Sequence, residues 1–208
     1  MIYAIGDSYT YGDELADPND AWPGQLSQLL QQPVINQGRS ACGNTRIVKR
    51  AMDAVLNGSA TTVILGWTEP CRIEFADEYG TYDMWAAKDR PSPGQNHRQV
   101  LSKYLTAYDA EEYYYVTWLR QVIMIQALCQ LHHVHLVMFI SCGAHELNKK
   151  YLKNHLDLVQ HIDTKNFIGW PLESMQSLTF HLPRGPGGHS LKEGHGFILN
   201  EITKYLRP

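Results

Sequence analysis

Residues 2–14, Ile-Tyr-Ala-Ile-Gly-Asp-Ser-Tyr-Thr-Tyr-Gly-Asp-Glu, decide the fold. The apolar residues at the start predict a short strand, and Gly6-Asp7-Ser8 follows it directly. A serine at the carboxyl end of a first strand lies where an open α/β sheet places its reactive groups. Gly6 permits a bend that exposes a nucleophilic hydroxyl, whereas a serine that only caps the next helix is the alternative. The rest of the chain has to decide between these two roles of Ser8.

Composition limits the classes of protein to which the chain can belong. Its 208 residues are 44% hydrophobic and 19% charged, which predicts one domain over 1–208. The net charge of −3 provides no basic surface for nucleic acid. The amino terminus lacks the pattern of a secretory signal, and no apolar run reaches about 18 residues. We therefore expect a soluble, cytoplasmic protein with neither a nucleic-acid nor a membrane partner.

Cysteine and histidine spacing does not indicate a metal site. The four cysteines are widely separated and form no C-x-x-C pair, which predicts reduced thiols. His132-His133-x-His135 spans the end of a predicted helix and the start of a strand, so the side chains diverge. We expect no metal and no other cofactor.

Strand, loop and helix patterns alternate along the chain. After the first strand, strands are predicted at 33–36, 61–66, 134–140 and 166–169, and helices at 21–30, 45–56, 111–131, 145–159 and after the glycine-rich loop near 184–190. This alternation predicts a three-layer α/β/α sandwich around a mainly parallel, five-stranded, flavodoxin-like sheet. Residues 71–110 have no sustained period, which indicates an irregular insertion that either faces the substrate or is a surface excursion.

Polar loops at several predicted strand ends meet at one edge of such a sheet. Ser8, the loop 38–44 and Thr68 each follow a strand, and His189 and His195 lie in or just after the last loop. In an open parallel sheet these loops converge on one crevice. The crevice would combine a serine, histidines and glycine-rich backbone, which are the groups that nucleophilic catalysis needs.

Four blocks in this order resemble those of SGNH hydrolases of the GDSL type. They are Gly6-Asp7-Ser8, Gly43-Asn44-Thr45, Gly66-Trp67-Thr68-Glu69 and His189. The longer stretches 6–14, 44–47, 66–68 and 188–195 are similar to the SGNH-like proteins often encoded by bacteriophages. The resemblance spans nearly the whole chain.

The resemblance implies a serine esterase or acylhydrolase that cleaves an ester of a small molecule or an O-acyl group on a glycan. Ser8 would be the nucleophile and His189 the general base and acid. The backbone N–H groups of Ser8 and Gly43, together with Thr68, would hold the oxyanion, with Gly38 as the rival of Gly43. Candidate supporting residues around them are Asp7, Asn44, Arg72 and His195, of which His195 also competes with His189 for the role of base.

Two departures from the family pattern motivate an alternative function. Thr68 stands where the family has the asparagine that donates to the oxyanion, and Pro186 stands where it has an aspartate three residues before the histidine. A backbone carbonyl, Asp163 or Glu193 would then have to orient His189. The alternative is a catalytically attenuated binding or structural protein of a virion, and acyl transfer to an acceptor other than water uses the same residues. The oligomeric state is left open.

Overall fold

A parallel sheet forms the centre of the protein. The computed structural model describes residues 1–77, 80–84, 103 and 110–206. The strands are β1 Ile2–Ile5, β2 Val34–Asn36, β3 Thr62–Trp67, β4 Ile73–Asp77, β5 Gly80–Met84, β6 His135–Ile140 and β7 Phe167–Ile168. Five of them form one sheet in the order β2-β1-β3-β6-β7, and every pairing within it is parallel. This order confirms the predicted flavodoxin-like sheet.

The helices lie close to the predicted positions. They are α1 Ser8–Tyr11, α2 Trp22–Leu30, α3 Asn44–Leu56, α4 Ala110–Leu131, α5 Ala144–Tyr151, α6 Leu156–Val159, α7 Met175–Leu178 and α8 Lys192–Thr203. The single helix predicted at 145–159 is instead broken into α5, a 3-10 turn at Leu152–His155 and α6. Ala21 precedes α2 without a side-chain cap, and the neighbouring Asp20 pairs with Lys192 Nζ at 2.8 Å.

Helices cover both faces of the sheet, and successive side chains of β3 point alternately into the two layers. Val63 and Leu65 belong to the apolar cluster that includes α3 and α4, whereas Ile64 belongs to the cluster that includes α2 and α8. Successive residues of a strand point to opposite faces, so a continuously apolar strand indicates a sheet that is buried on both faces. The three-layer arrangement is therefore confirmed.

A hairpin begins the segment that was expected to be irregular. β4 and β5 pair antiparallel, with Ile73 opposite Met84 and Asp77 opposite Gly80. Apolar and polar residues alternate only over Ile73-Glu-Phe75, which is too short a pattern to predict a strand. Most of the rest of the predicted insertion, 85–102 and 104–109, lies outside the described residues. Within the described ranges, no helix combines the length and apolar character that crossing a bilayer would require.

Candidate active site

Ser8 lies at the point where β1 turns into α1. It is the first residue of α1 and is 6% exposed. Gly6 before it packs so closely that a Cβ would lie 3.0 Å from the Gly66 carbonyl oxygen and 2.3 Å from Thr10 Oγ1. Among the described residues, neither the hydroxyl nor the backbone N–H of Ser8 has a hydrogen-bond partner. The local chain therefore leaves both groups available at the carboxyl end of β1.

Asp7 is buried beneath this turn and has structural partners. Its Oδ1 accepts a hydrogen bond from the Tyr9 N–H at 3.1 Å, which caps α1. Its Oδ2 lies 3.7 Å from Arg72 Nη1 and accepts from Cys142 Sγ at 3.6 Å. Burial, with a smaller contribution from the Asp7 charge, raises the pKa of Cys142 to about 12, so the thiol is protonated and donates. Asp7 and Arg72 thus hold the base of the Ser8 turn.

His189 lies against the turn that Ser8 begins. Its ring centroid is 5.7 Å from that of Tyr9, and its Nε2 is 4.0 Å from Asp13 Oδ2. Its Nδ1 is 3.0 Å from Glu14 Oε2. Because an ionised carboxylate only accepts, Nδ1 is the donor, and the neutral ring keeps its lone pair on Nε2. This tautomer is the one that can take a proton from a serine hydroxyl.

The acids proposed from sequence to orient His189 are not the ones that contact it. Within the described chain, Asp163 and Glu193 form no hydrogen bond with His189; Asp163 Oδ1 instead accepts from the Lys165 N–H at 2.9 Å. Glu193 lies in the first turn of α8. Sequence reasoning missed Glu14, although the absence of a carboxylate at Pro186 was a signal to search elsewhere.

An asparagine amide joins the two remaining family-like blocks. Asn44 Nδ2 donates to the carbonyl oxygens of Thr68 and Glu69 at 3.1 and 3.3 Å, and its Oδ1 accepts from the Thr68 N–H at 3.1 Å. Gly43 precedes it as the N-cap of α3. The Thr68 hydroxyl is fully buried and lies 3.7 Å from Cys142 Sγ. Asn44 therefore fixes the end of β3 beside the start of α3.

Gly38, the sequence-based rival of Gly43, has a different task. Its N–H donates to Asn36 Oδ1 at 2.8 Å, so it is not available to an oxyanion. Its loop packs against α1, because a Cβ at this position would lie 2.3 Å from the Tyr11 nitrogen. The close approach of two backbones explains the glycine. The assignment of Gly38 as an oxyanion donor is thus corrected.

His195 is a buried, neutral residue away from this contact. Its Nδ1 accepts from the Trp22 N–H at 3.2 Å, which ties α8 to α2. Burial is the main cause that lowers the pKa of His195 to about 4, with a further contribution from His189 and an opposing one from Asp20. A ring that accepts from a buried backbone amide cannot also serve as a base toward Ser8 at that nitrogen. His195 acts in packing.

We predict that His195 makes the fold less stable in mild acid. An unfolded histidine has a pKa near 6.5 and so binds a proton before the folded one does, which lowers the free energy of unfolding as pH falls below about 6.5. These two pKa values give a loss of about 2 kcal/mol between pH 7.5 and 5. Urea unfolding at both pH values measures it. In His195→Gln this component of the pH dependence should be absent, and an equally steep dependence would contradict the assignment.

A cleft of about 220 Å³ is linked to the Ser8 turn through Arg72, although neither Ser8 nor His189 lines it. Its lining includes Asn44, Arg72, which lies against Asp7, and Tyr113 and Tyr114 of α4. The side chain of Tyr113 is largely exposed, and its ring meets that of Tyr114 edge to face at 5.3 Å. The cleft thus combines aromatic surface with hydrogen-bonding groups.

No metal centre is found in the part of the chain that the structure describes. No group of three or more histidine, cysteine and acidic side chains within those ranges is arranged so that it could hold a metal ion. His135 Nε2 instead lies 2.9 Å from the Tyr205 carbonyl oxygen. The cysteines in the described residues are all free thiols.

Comparisons with known proteins show similarity at the level of the fold. No family model and no curated protein sequence matches the chain. A G-D-S-L family protein from Desulfitobacterium hafniense DCB-2, described as lipolytic, is 16% identical with a TM-score of 0.52, and the match covers 99% of this chain and 98% of that one. The crystal structure of TesA is 9% identical with a TM-score of 0.59, over 100% and 98%. The chain has the α/β fold of the GDSL-type hydrolases.

Proposed function

We propose that the protein is a serine ester hydrolase in which Ser8 is the nucleophile and His189 the general base and acid. One observation carries the proposal: an imidazole whose Nδ1 is held by a carboxylate lies against the turn that Ser8 begins. The acid at Nδ1 selects the tautomer that can act as a base at Nε2. The proposal is supported by the position of Ser8 directly after β1, since open parallel sheets bind ligands at the carboxyl ends of their strands, and by the contact of the His189 ring with Tyr9 in the same turn.

The proposed reaction has two steps, acylation of Ser8 and hydrolysis of the acyl-serine. Ser8 Oγ forms a bond to the ester carbonyl carbon while its proton passes to His189 Nε2; the ester C–O bond then breaks, and the leaving alkoxide takes that proton. Water next attacks the acyl-serine and gives its proton to Nε2, and the acid is released as Ser8 recovers its hydrogen. Among the described residues, Ser8 Oγ and His189 Nε2 share no hydrogen bond. Catalytic hydrogen bonds are often long in free enzymes and tighten in the Michaelis complex, and the proposal requires this of Ser8 and His189.

Backbone donors would stabilise the tetrahedral oxyanion. The Ser8 N–H has no acceptor among the described residues, and Gly43 is placed by the family resemblance as the second donor at the start of α3. Thr68 is the weakest component, since its buried hydroxyl lies toward Cys142 Sγ. Losing one such donor costs about 10²–10³ in rate, so a slow esterase is expected.

A fluorophosphonate probe tests the proposal directly. Ser8 Oγ would displace fluoride and form a stable phosphonyl ester, which peptide mass mapping locates. We expect labelling at Ser8, hydrolysis of a short-chain aryl ester, and loss of both in Ser8→Ala. Ser40→Ala is a matched control, because the Ser40 hydroxyl donates to Asp13 Oδ2 and has no role as nucleophile. A folded wild-type protein that shows neither labelling nor hydrolysis would refute the proposal.

That negative result would favour the second candidate function. The specific observation in its support is the buried Thr68, which stands in place of an asparagine donor and contacts Cys142. A binding or structural protein would keep the fold and its cleft without turnover. In that case we expect the protein to bind an acylated oligosaccharide without hydrolysing it. Such binding would fit a virion-associated protein.

The cleft favours a glycan ester as the substrate class. A sugar ring presents an apolar face to an aromatic side chain and hydroxyl groups to polar ones. The exposed Tyr113 offers the first, and Thr45 and Gln121, which also line the cleft, offer the second. O-acetylated oligosaccharides should therefore be hydrolysed with a higher kcat/KM than a simple aryl acetate. Tyr113→Ala should reduce this preference while leaving aryl ester hydrolysis unchanged.

A further inference from the structure

We infer that Glu14 is the positioning acid of His189 and replaces, from a different segment of the chain, the aspartate that the GDSL pattern places three residues before the histidine. This inference rests on the proposed function of Ser8 and His189. Position 186, where the pattern has the aspartate, is a proline. Glu14 belongs to the turn after α1, 175 residues before His189 in the chain.

Both oxygens of Glu14 are used to hold the histidine loop. Oε2 accepts from His189 Nδ1 at 3.0 Å and from the His189 backbone N–H at 2.9 Å. Oε1 accepts from the Gly187 N–H. Two backbone bonds fix the position of the carboxylate relative to the loop, so its bond to Nδ1 fixes the orientation of the ring as well. A surface ion pair between two mobile side chains lacks this geometry.

The loop is shaped to admit the carboxylate. A Cβ on Gly185 would lie 2.7 Å from the Glu14 carboxyl carbon, and one on Gly187 would lie 3.0 Å from Oε1. The Gly185 N–H donates to the His189 carbonyl oxygen at 2.9 Å, and Arg184 pairs with Ser190 across the loop. Gly185 and Gly187, which flank position 186, therefore leave room for the Glu14 carboxylate.

The turn that carries Glu14 is also constrained. Glu14 itself has φ 69°, a left-handed conformation that few residues other than glycine adopt. Gly12 before it has φ 91° and lies where a Cβ would come within 2.7 Å of Ala21 Cβ. Packing against the segment before α2 thus imposes the turn, and the turn delivers the side chain to the loop. Strained backbone of this kind is often found at functional sites.

The charge on Glu14 suits the same role. The N–H groups of Gly187 and His189, followed by the His189 ring, hold the pKa of Glu14 below its usual range. Glu14 is therefore ionised at neutral pH and stabilises the imidazolium that forms when Nε2 accepts the serine proton. Asp13 cannot take this role, because its nearest ring contact is with Nε2 at 4.0 Å.

Glu14→Gln tests the inference with little change in shape. The Gln amide has one acceptor oxygen and one NH₂ donor group. In either orientation its NH₂ group faces the Gly187 N–H or the donors of His189, so a donor faces a donor and that hydrogen bond is lost. We expect kcat for aryl ester hydrolysis to fall by about 10²–10⁴, by analogy with the loss of an orienting acid elsewhere. The matched control variant, Glu193→Gln, should change kcat by less than about twofold. Circular dichroism and thermal unfolding check that both variants fold.

Nitrogen NMR of His189 gives a readout that does not depend on turnover. The His189 resonances are assigned by their absence in His189→Ala. In the wild-type protein at pH 8 we expect the Nδ1–H tautomer, and in Glu14→Gln a shift toward Nε2–H. A wild-type ring in the Nε2–H form would overturn the inference even if Glu14→Gln failed to fold. So would a folded Glu14→Gln protein with wild-type kcat.

Different results would refute the proposed hydrolase and the proposed role of Glu14. If wild-type protein is not labelled at Ser8 but His189 keeps the Nδ1–H tautomer in a Glu14-dependent way, the proposed hydrolase is wrong and the assignment of Glu14 as the positioning residue stands. If Ser8 is labelled and Glu14→Gln changes neither the labelling rate nor the tautomer, the hydrolase stands and the role of Glu14 is wrong.

Discussion

Replacing either Ser8 or His189 with alanine is expected to lower kcat for aryl ester hydrolysis by about 10⁴ or more, and replacing both should cost little beyond either alone. The reason is that the two side chains share one proton transfer. Without His189 the hydroxyl of Ser8 is a weak nucleophile, and without Ser8 the base has no proton to accept. The residual rate should come from the oxyanion donors and substrate binding. Steady-state kinetics of the two single variants and the double variant measure this non-additivity.

The control for this cycle is His161→Ala. His161 is exposed and lies in the turn after α6, away from the site, so its loss should leave kcat unchanged. Two results would contradict the prediction. One is a folded His189→Ala protein that keeps more than about a tenth of the wild-type kcat. The other is a double variant whose loss equals the product of the single losses, because independent contributions would then replace a shared proton transfer.

The sheet could be predicted from the sequence because its signals are local. Continuous apolar runs such as 62–67 indicate strands that are covered on both faces, and short loops with intervening helices leave parallel pairing as the simple solution. The same local signals placed Ser8 at the end of β1 and Thr68 at the end of β3. Right-handed connections then decide on which face of the sheet each connecting helix packs.

The orienting acid could not be predicted, because its contact with His189 joins distant segments. Nothing in the spacing of Asp13-Glu14 indicates which of the two carboxylates turns toward the glycine-rich loop, and that choice depends on the left-handed φ of Glu14. The prediction that Gly38 is an oxyanion donor failed for a related reason. A glycine in a loop after a strand suits an oxyanion donor, but the Gly38 N–H donates to the side chain of Asn36, two residues before it. Side-chain hydrogen bonds of this kind compete with function for backbone groups.

Asn44→Ala is expected to lower the free energy of unfolding by about 3 kcal/mol, because it leaves buried backbone groups at the end of β3 without partners. The amide is 3% exposed and provides three bonds: two donated to the Thr68 and Glu69 carbonyls and one accepted from the Thr68 N–H. Alanine can replace none of them. Urea unfolding followed by tryptophan fluorescence measures the loss, since Trp67 is the last residue of β3.

The same substitution should also slow labelling of Ser8 by the fluorophosphonate probe, because Thr68 and the start of α3 are then free to move apart. Asn57→Ala, at the exposed carboxyl end of the same helix, is the matched control and should change stability by less than about 0.5 kcal/mol. If Asn44→Ala lost no more stability than Asn57→Ala, the Asn44 amide would not be the tie between the two blocks. If stability fell but labelling did not, the tie would be structural, and Gly43 and Thr68 would lose their assignment as oxyanion groups.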